Sequence, residues 1–287
     1  MYKFLPILKT LVWGTELWLI SSVPGNESVV ACGPEAGKTL NDIYGGQFPL
    51  LIKLIDAHAD LSIQVHPDDA LAWERHKSKG KTEMWYVTGA TQDAHLLAGF
   101  SQPVSKEEYK AKVADGTITD VLKRYNVSVG DVFYIPSGRI HAICSGTQVA
   151  EIQQTSDITY RIYDYGRLGL DGKPRQLHTE EALDAIDYTV LPDYRTQYED
   201  VKNAENEIVK SPFFTTSLYE LDTPVTKALD QVGKFLVVIC IDGEGTLKTD
   251  SDSVELKKGE AVLVKADEKA VTFSPNSSMK LLTSYID

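Results

Sequence analysis

Residues 61–86 read LSIQVHPDDALAWERHKSKGKTEMWY, with polar side chains at the end of one apolar segment and at the start of the next. Gln64 and His66 lie two residues apart, and so do Lys81 and Glu83. Side chains two apart in a strand project from the same face. If the two strands are neighbours in a barrel, an amide oxygen, an imidazole and a carboxylate converge beside an ammonium group. These groups make up half of a metal site.

Residues 129–144, VGDVFYIPSGRIHAIC, supply the other half. A Gly-Asp turn, the apolar run VFYI and a Pro-Ser-Gly turn come before His141, which lies near the start of the next strand. This spacing resembles the second cupin motif. The first cupin motif normally begins His-x-His, and Gln64 replaces the leading histidine here. We therefore interpret four side chains as ligands of one divalent ion: Gln64, His66, Glu83 and His141.

Composition limits the class of protein. The 287 residues are 43% hydrophobic and 24% charged, which is typical of a soluble globular chain with a sizeable core. The formal net charge of −12 argues against nucleic-acid and anionic-membrane partners. It does not exclude a small anionic substrate, which responds to the local field of its cleft. We expect a small-molecule ligand and a monomer or homodimer.

The cysteines and the amino-terminal segment bear on location. Three widely separated cysteines fit a reducing compartment better than a disulfide scaffold, and we expect Cys144 to be a buried core thiol. Lys9 and Glu16 interrupt the apolar amino-terminal segment, so it predicts neither a signal peptide nor a membrane span. A cytoplasmic protein is the expectation.

The chain is organised as strands with a small helical insertion. In residues 105–125, Ser105 and Glu108 stand in capping-box relation, and Gly116 separates two predicted short helices. A helical pattern follows at 178–186.

The C-terminal part repeats the strand pattern of the first. GEAVLV at 259–264 resembles GDVFYI at 130–135, and no histidine follows His178. We therefore expect a second β-barrel without a metal site. The predicted division is a metal-binding catalytic cupin domain at 1–186, a polar linker at 187–210 and a C-terminal cupin-like domain at 211–287.

Four motifs carry a specific resemblance: QVHPDD at 64–69, GKTEMWYV at 80–87, PSGRIHAI at 136–143 and SDITYRIYDYGR at 156–167. Together they resemble the type I mannose-6-phosphate isomerases, in their short bacterial form. The resemblance implies an all-β dominated fold of two cupin (jelly-roll) barrels and one zinc ion per chain. It implies interconversion of mannose 6-phosphate and fructose 6-phosphate. It also carries over the four metal ligands named above, and three residues that act on the sugar phosphate: Lys81, Asp157 and Arg161.

The predicted ligands and the residues Lys81, Asp157 and Arg161 are of types that suit aldose–ketose isomerisation. Aldose–ketose exchange moves a proton between C1 and C2 through an enediol, and a divalent metal with an open position stabilises the developing charge on oxygen. Lys81 is our hypothesis for the base, because burial and a neighbouring cation favour the neutral amine. A metal-bound hydroxide and Asp157 are the alternatives. The planar fork of Arg161 suits phosphate or sugar oxygens.

Other interpretations remain open at this point. Gln64 could hydrogen-bond a ligand instead of binding the metal. Two histidines and a carboxylate also form the iron site of cupin oxygenases, and cobalt, manganese or nickel suit the same ligands. A non-enzymatic sugar-binding cupin is the third functional class. The remaining histidines are expected to be packed or exposed: His58, His76, His95 and His178.

Overall fold

The computed structural model describes residues 1–230, 232–265 and 267–286. This part of the chain is mostly β-strand, which confirms the expected all-β dominated fold class. None of the helices in these ranges is long and apolar enough to cross a membrane. The described helices are α1 (Leu40–Tyr44), α2 (Asp69–His76), α3 (Lys106–Ala114), α4 (Thr179–Ala185) and a 3-10 helix at Ile118–Val121.

The strands are short in the first two thirds of the chain and longer toward the C-terminus. In chain order they are β1 (Tyr2–Leu5), β2 (Ile7–Leu11), β3 (Gly14–Ile20), β4 (Ser22–Val23), β5 (Asn26–Glu27), β6 (Val29–Val30), β7 (Leu50–Ala57), β8 (Ile63–Val65), β9 (Glu83–Ala90), β10 (His95–Phe100), β11 (Leu122–Asn126), β12 (Val132–Ile135), β13 (His141–Ile143), β14 (Thr147–Gln154), β15 (Tyr160–Tyr163), β16 (Arg195–Thr196), β17 (Asn206–Lys210), β18 (Thr215–Leu221), β19 (Val225–Ala228), β20 (Phe235–Lys248), β21 (Ser253–Lys257), β22 (Glu260–Lys265) and β23 (Ala270–Tyr285).

The helix signals at Ser105 and at 178–186 are confirmed by α3 and α4, and side chains cap the first turns of α3 and α2. The Ser105 hydroxyl accepts from the Glu108 amide at the start of α3, and the Asp68 carboxylate accepts from Leu71 at the start of α2. The predicted second helix of the insertion is only the short 3-10 turn. The chain then enters β11, because Leu122 and Tyr125 are buried there and the strand pairs with β10. Residues 187–210, predicted to be a linker, contain β16 and β17.

Two sheets carry the candidate site. One has the strand order β16-β12-β9-β14-β7-β3-β2, and the other has the order β11-β10-β13-β8-β15. Apolar side chains from both sheets form one buried cluster, which includes Trp85, Leu96, Phe133 and Ile143. The opposite face of the five-stranded sheet packs under α3, α4 and the 3-10 helix. The first sheet therefore faces the second across a shared core.

The chain forms two compact units, each built from separated segments. One comprises Leu8–Leu17 and Lys53–Arg195; the other comprises Met1–Ile7, Trp18–Ile52 and Thr196–Asp287. The second unit contains the largest sheet, in the order β17-β18-β23-β20-β22-β1-β6, with β19 and β21 pairing at its side. The predicted boundaries at residues 187–210 and the pair of closed barrels stay predictions.

Candidate metal centre

Three predicted site residues form a row across the five-stranded sheet. His141 of β13 is the direct cross-strand neighbour of Gln64 of β8, and Gln64 is in turn the neighbour of Arg161 of β15. Side chains at paired positions project from the same face. His66 lies two residues beyond Gln64 and shares this face. Strand register thus brings together residues that are up to 97 positions apart.

Glu83 approaches this row from the first residue of β9 in the other sheet. One ligand atom each from His66, Glu83 and His141 lies within 4.8 Å of the other two. The Glu83 oxygens are 3.6 Å from His66 Nε2 and 3.4 Å from His141 Nε2. All three side chains are at most 1% exposed. Two nitrogens and a carboxylate therefore converge in a buried place, as the sequence predicts.

Backbone carbonyls orient both imidazoles. His66 Nδ1 lies 2.9 Å from the Ile158 oxygen, and His141 Nδ1 lies 2.7 Å from the Arg139 oxygen. A proton on each Nδ1 satisfies these contacts and leaves the lone pairs on Nε2, facing Glu83. Burial lowers the pKa of His141 to about 3 and holds the pKa of His66 well below its usual value, with Lys81 adding to both effects. Both rings are neutral at pH 7, which is the form that binds metal.

Lys81 lies beside this group. Its ammonium donates to Glu83 Oε2, lies 3.2 Å from His66 Nε2 and is 3.8 Å from Glu151 Oε1. The turn before it requires glycine: a Cβ on Gly80 would stand 2.5 Å from the backbone carbon of Asp68. The Gly-Lys-Thr-Glu motif therefore combines a close backbone approach with two inward side chains.

A second buried charge cluster, which the sequence motifs do not predict, continues from Lys81. Glu151 of β14 lies 3.3 Å from the ammonium of Lys53, and Lys53 lies 3.5 Å from Glu16. Trp85 Nε1 donates to the other Glu151 oxygen at 3.0 Å. The available signal was a single charge inside an apolar strand, in LLIKLID at 50–56 and VAEIQQ at 149–154. A charge so placed is buried and must be paired.

The two buried carboxylates have opposite pKa shifts. Burial would raise the pKa of Glu151, but Lys81 and Lys53 outweigh it and lower that pKa. Burial and the Glu151 charge outweigh Lys81 and raise the pKa of Glu83. Burial opposes the charge on Lys53, yet Glu151 and Glu16 outweigh it and raise the Lys53 pKa. Glu151 is thus a fixed negative charge, whereas a divalent cation beside Glu83 would favour its ionised form.

Gln64, Arg161 and Asp157 are predicted site residues that do not belong to the buried His-Glu-His group. The Gln64 amide nitrogen lies 3.3 Å from His141 Nε2, so the amide must turn over before its oxygen can serve as a ligand. Arg161 is half-buried and donates through Nη1 to the Gln176 carbonyl, and its buried Nε has no hydrogen-bond partner. Asp157 is exposed in the loop after β14, and the described part of the chain does not place its carboxylate in the buried His-Glu-His group.

Comparisons with known proteins show the family of this chain. Residues 20–86 match the catalytic domain of type I phosphomannose isomerase, and residues 204–286 match the mannose-6-phosphate isomerase cupin domain. The chain is 33% identical to a Streptococcus mutans mannose-6-phosphate isomerase over 94% of its length and 88% of that protein. The crystal structure of the Bacillus subtilis mannose 6-phosphate isomerase is 32% identical, with a TM-score of 0.89 and 99% coverage of both chains. The chain belongs to the type I mannose-6-phosphate isomerase family.

Family membership makes the chain an isomerase and confirms the resemblance found in the sequence. Type I mannose-6-phosphate isomerases depend on a metal, and the buried His66–Glu83–His141 group suits one. Glu83 Oε1 is buried without a hydrogen-bond partner, and both Nε2 lone pairs face the carboxylate. A divalent cation would satisfy all of these atoms. Two imidazoles and one carboxylate also leave room for substrate oxygens, as a catalytic metal requires.

Proposed function

We propose that this isomerase interconverts mannose 6-phosphate and fructose 6-phosphate through an enediol, with one zinc ion held by His66, Glu83 and His141. Gln64 would complete the ligand set once its amide oxygen faces the imidazoles. The convergence of these three buried side chains within 4.8 Å carries the proposal. The same metal centre would lie in one of two cupin barrels, in a cytoplasmic protein whose three cysteines are free.

When bound, zinc supplies Lewis-acid stabilisation of the charge that develops on the oxygens of C1 and C2. Lys81 is the proposed base, which takes the proton from C2 of the aldose and returns it to C1. Glu83 and Glu151 flank its nitrogen, so they hold the side chain in one position. Asp157, the alternative base, is exposed, and a buried base is better protected from exchange with solvent.

Arg161 is proposed to bind the phosphate or sugar oxygens of the substrate. It is the cross-strand neighbour of Gln64, so it lies on the face of the sheet that carries the ligands. Its Nε is buried without a hydrogen-bond partner, so the guanidinium has an N–H donor available for a substrate oxygen. A planar donor pair matches the geometry of phosphate oxygens.

Replacing Arg161 with alanine should reduce kcat/KM by about ten- to a hundredfold, because charge-assisted hydrogen bonds contribute roughly 1.5–3 kcal/mol. The zinc content should not change, since the ligands are on other strands. Steady-state kinetics and metal analysis of the same preparation test this. Arg167→Ala is the matched control, because that guanidinium pairs with Asp164. Kinetics unchanged by Arg161→Ala would remove Arg161 from the mechanism.

The function itself is tested by a coupled assay for conversion of mannose 6-phosphate to fructose 6-phosphate. Activity should be lost after chelation and return on adding zinc. If the chelated protein keeps its full rate, the metal has no catalytic role. Oxygen uptake by the iron-loaded protein would support the oxygenase instead. Sugar binding without turnover by the zinc-loaded protein would support a binding role.

A further inference from the structure

A second group of metal-binding side chains lies outside the proposed catalytic centre. Asp60, His95 and Cys144 each place one potential ligand atom within 4.8 Å of the other two. Asp60 comes shortly before β8, His95 begins β10, and Cys144 directly follows β13. Those three strands are consecutive neighbours in the order β10-β13-β8. The strand order therefore lines up the three residues at one end of the sheet.

Backbone hydrogen bonds hold this arrangement. The Cys144 amide donates to the His95 carbonyl at 3.2 Å, and the Leu61 amide donates to the Ile143 carbonyl at 2.8 Å. The three segments are thus tied side by side, with His95 in β10, Asp60 in the loop before β8 and Cys144 just after β13.

The group is distinct from the catalytic one. Cys144 follows His141 by three positions, so the two side chains project from opposite faces of the strand. His141 contacts Trp85 in the core between the two sheets, with ring centroids 5.2 Å apart. Cys144 instead packs with Tyr160 and Ile162 on the other face.

Two of the side chains are already oriented by backbone groups. The Ser145 amide donates to Asp60 Oδ1 at 2.9 Å, and that leaves the second carboxylate oxygen for another partner. His95 Nδ1 lies 3.1 Å from the Asp93 carbonyl, a contact that places the ring proton on Nδ1 and the lone pair on Nε2. Metal-binding histidines are commonly held in this way.

Cys144 is 1% exposed, and burial together with the Asp60 charge raises the pKa of its thiol. A thiol kept protonated beside a carboxylate is poorly suited to act as a nucleophile. A bound divalent cation reverses that preference, because a coordinating thiol is deprotonated outright. Binding would release the thiol proton to solvent as the sulfur–metal bond forms.

We propose that Asp60, His95 and Cys144 form a second divalent-cation site of zinc type. One thiolate, one imidazole and one carboxylate are the ligands that zinc takes, whereas magnesium and calcium prefer oxygen ligands alone. With a water molecule as fourth ligand, the ion would tie three strand ends together. Its role would be structural, and the chain would hold two ions instead of the single one that the family resemblance implies. This inference does not rest on the proposed catalytic function.

Cobalt titration of the metal-free full-length protein tests the site, because cobalt bound to a thiolate gives an intense near-ultraviolet charge-transfer absorption. The proposed catalytic ligands contain no sulfur, so this signal reports only a cysteine site. We expect the absorption in the natural protein and its loss in Cys144→Ser. Cys240→Ser is the matched control, since that thiol is also buried.

Asp60→Asn keeps the size of a partly exposed side chain and should weaken cobalt binding by about tenfold or more with the fold retained. It therefore tests the site even if Cys144→Ser does not fold. Zinc content should fall from two equivalents to one in Cys144→Ser, with isomerase activity unchanged. The absence of thiolate absorption in the natural protein would overturn the proposal, as would cobalt affinity unaffected by Asp60→Asn.

Discussion

Replacing His141 with alanine is expected to abolish tight zinc binding and lower kcat by about a thousandfold. His141 supplies one of the two neutral imidazoles facing Glu83, and its removal leaves one imidazole, one carboxylate and the Gln64 amide to hold the ion. Losing the metal would cost several kcal/mol of transition-state stabilisation, and about 4 kcal/mol corresponds to a thousandfold in rate. Metal analysis after dialysis and the coupled isomerase assay measure the two effects.

Two further variants separate loss of metal from loss of fold. His58→Ala removes an exposed histidine, which lies 3.2 Å from Asp56, and should leave zinc content and kcat unchanged. Glu83→Gln keeps the size of the side chain and removes its charge, so it should also lose zinc while its circular dichroism spectrum stays the same. A His141→Ala protein that retains one zinc at the catalytic centre and a near-normal kcat would refute the ligand assignment.

Replacing Lys53 with methionine should lower the free energy of unfolding by about 3–5 kcal/mol. The substitution keeps a long side chain but removes the ammonium that pairs with both Glu151 and Glu16, and breaking a buried ion pair is strongly destabilising. Glu151 would also lose a cation that keeps it ionised, which weakens its hold on Lys81. We therefore expect a lower kcat as well. Urea denaturation and steady-state kinetics measure both consequences.

An exposed ion pair provides the control for this substitution. Lys258 lies 3.4 Å from Asp242, and both side chains are more than 60% exposed. Lys258→Met makes the same chemical change at a solvent-exposed position, where ion pairs contribute about 0–1 kcal/mol to stability. If Lys53→Met is no more destabilising than Lys258→Met, the buried cluster is not the stabilising element that its burial indicates. Lys53→Arg, which keeps the charge, should retain more stability than Lys53→Met.

The composition of the candidate centre could be predicted because it depends on strand alternation. Gln64 with His66, and Lys81 with Glu83, project from one face whatever the partner strands are, and the glycine and proline turns limit where His141 can lie. The resemblance of four motifs to one family added the expected chemistry. The structure agrees on the approach of two imidazoles and one carboxylate. It leaves Asp157 exposed and turns the Gln64 amide nitrogen toward His141.

The charge cluster behind the centre could not be predicted in the same way. Lys53, Glu16 and Glu151 each interrupt an apolar strand, but one chain position does not say which opposite charge will face it. Their meeting depends on the strand order β9-β14-β7-β3, which arises from pairing between distant segments. The approach of Asp60 and His95 to Cys144 could not be predicted for the same reason, because it depends on the strand order β10-β13-β8.

Local sequence decides which face of a strand a side chain occupies, where a turn begins and which residue caps a helix, because these depend on neighbours a few positions away. Only the folded chain decides which strands lie side by side, and hence which charges are buried together and which pKa values move. Those properties arise from desolvation and from distances between remote residues. The residue types of the candidate metal centre could therefore be predicted from the sequence, whereas the surroundings of the proposed base and the proposed second cation site required the tertiary structure.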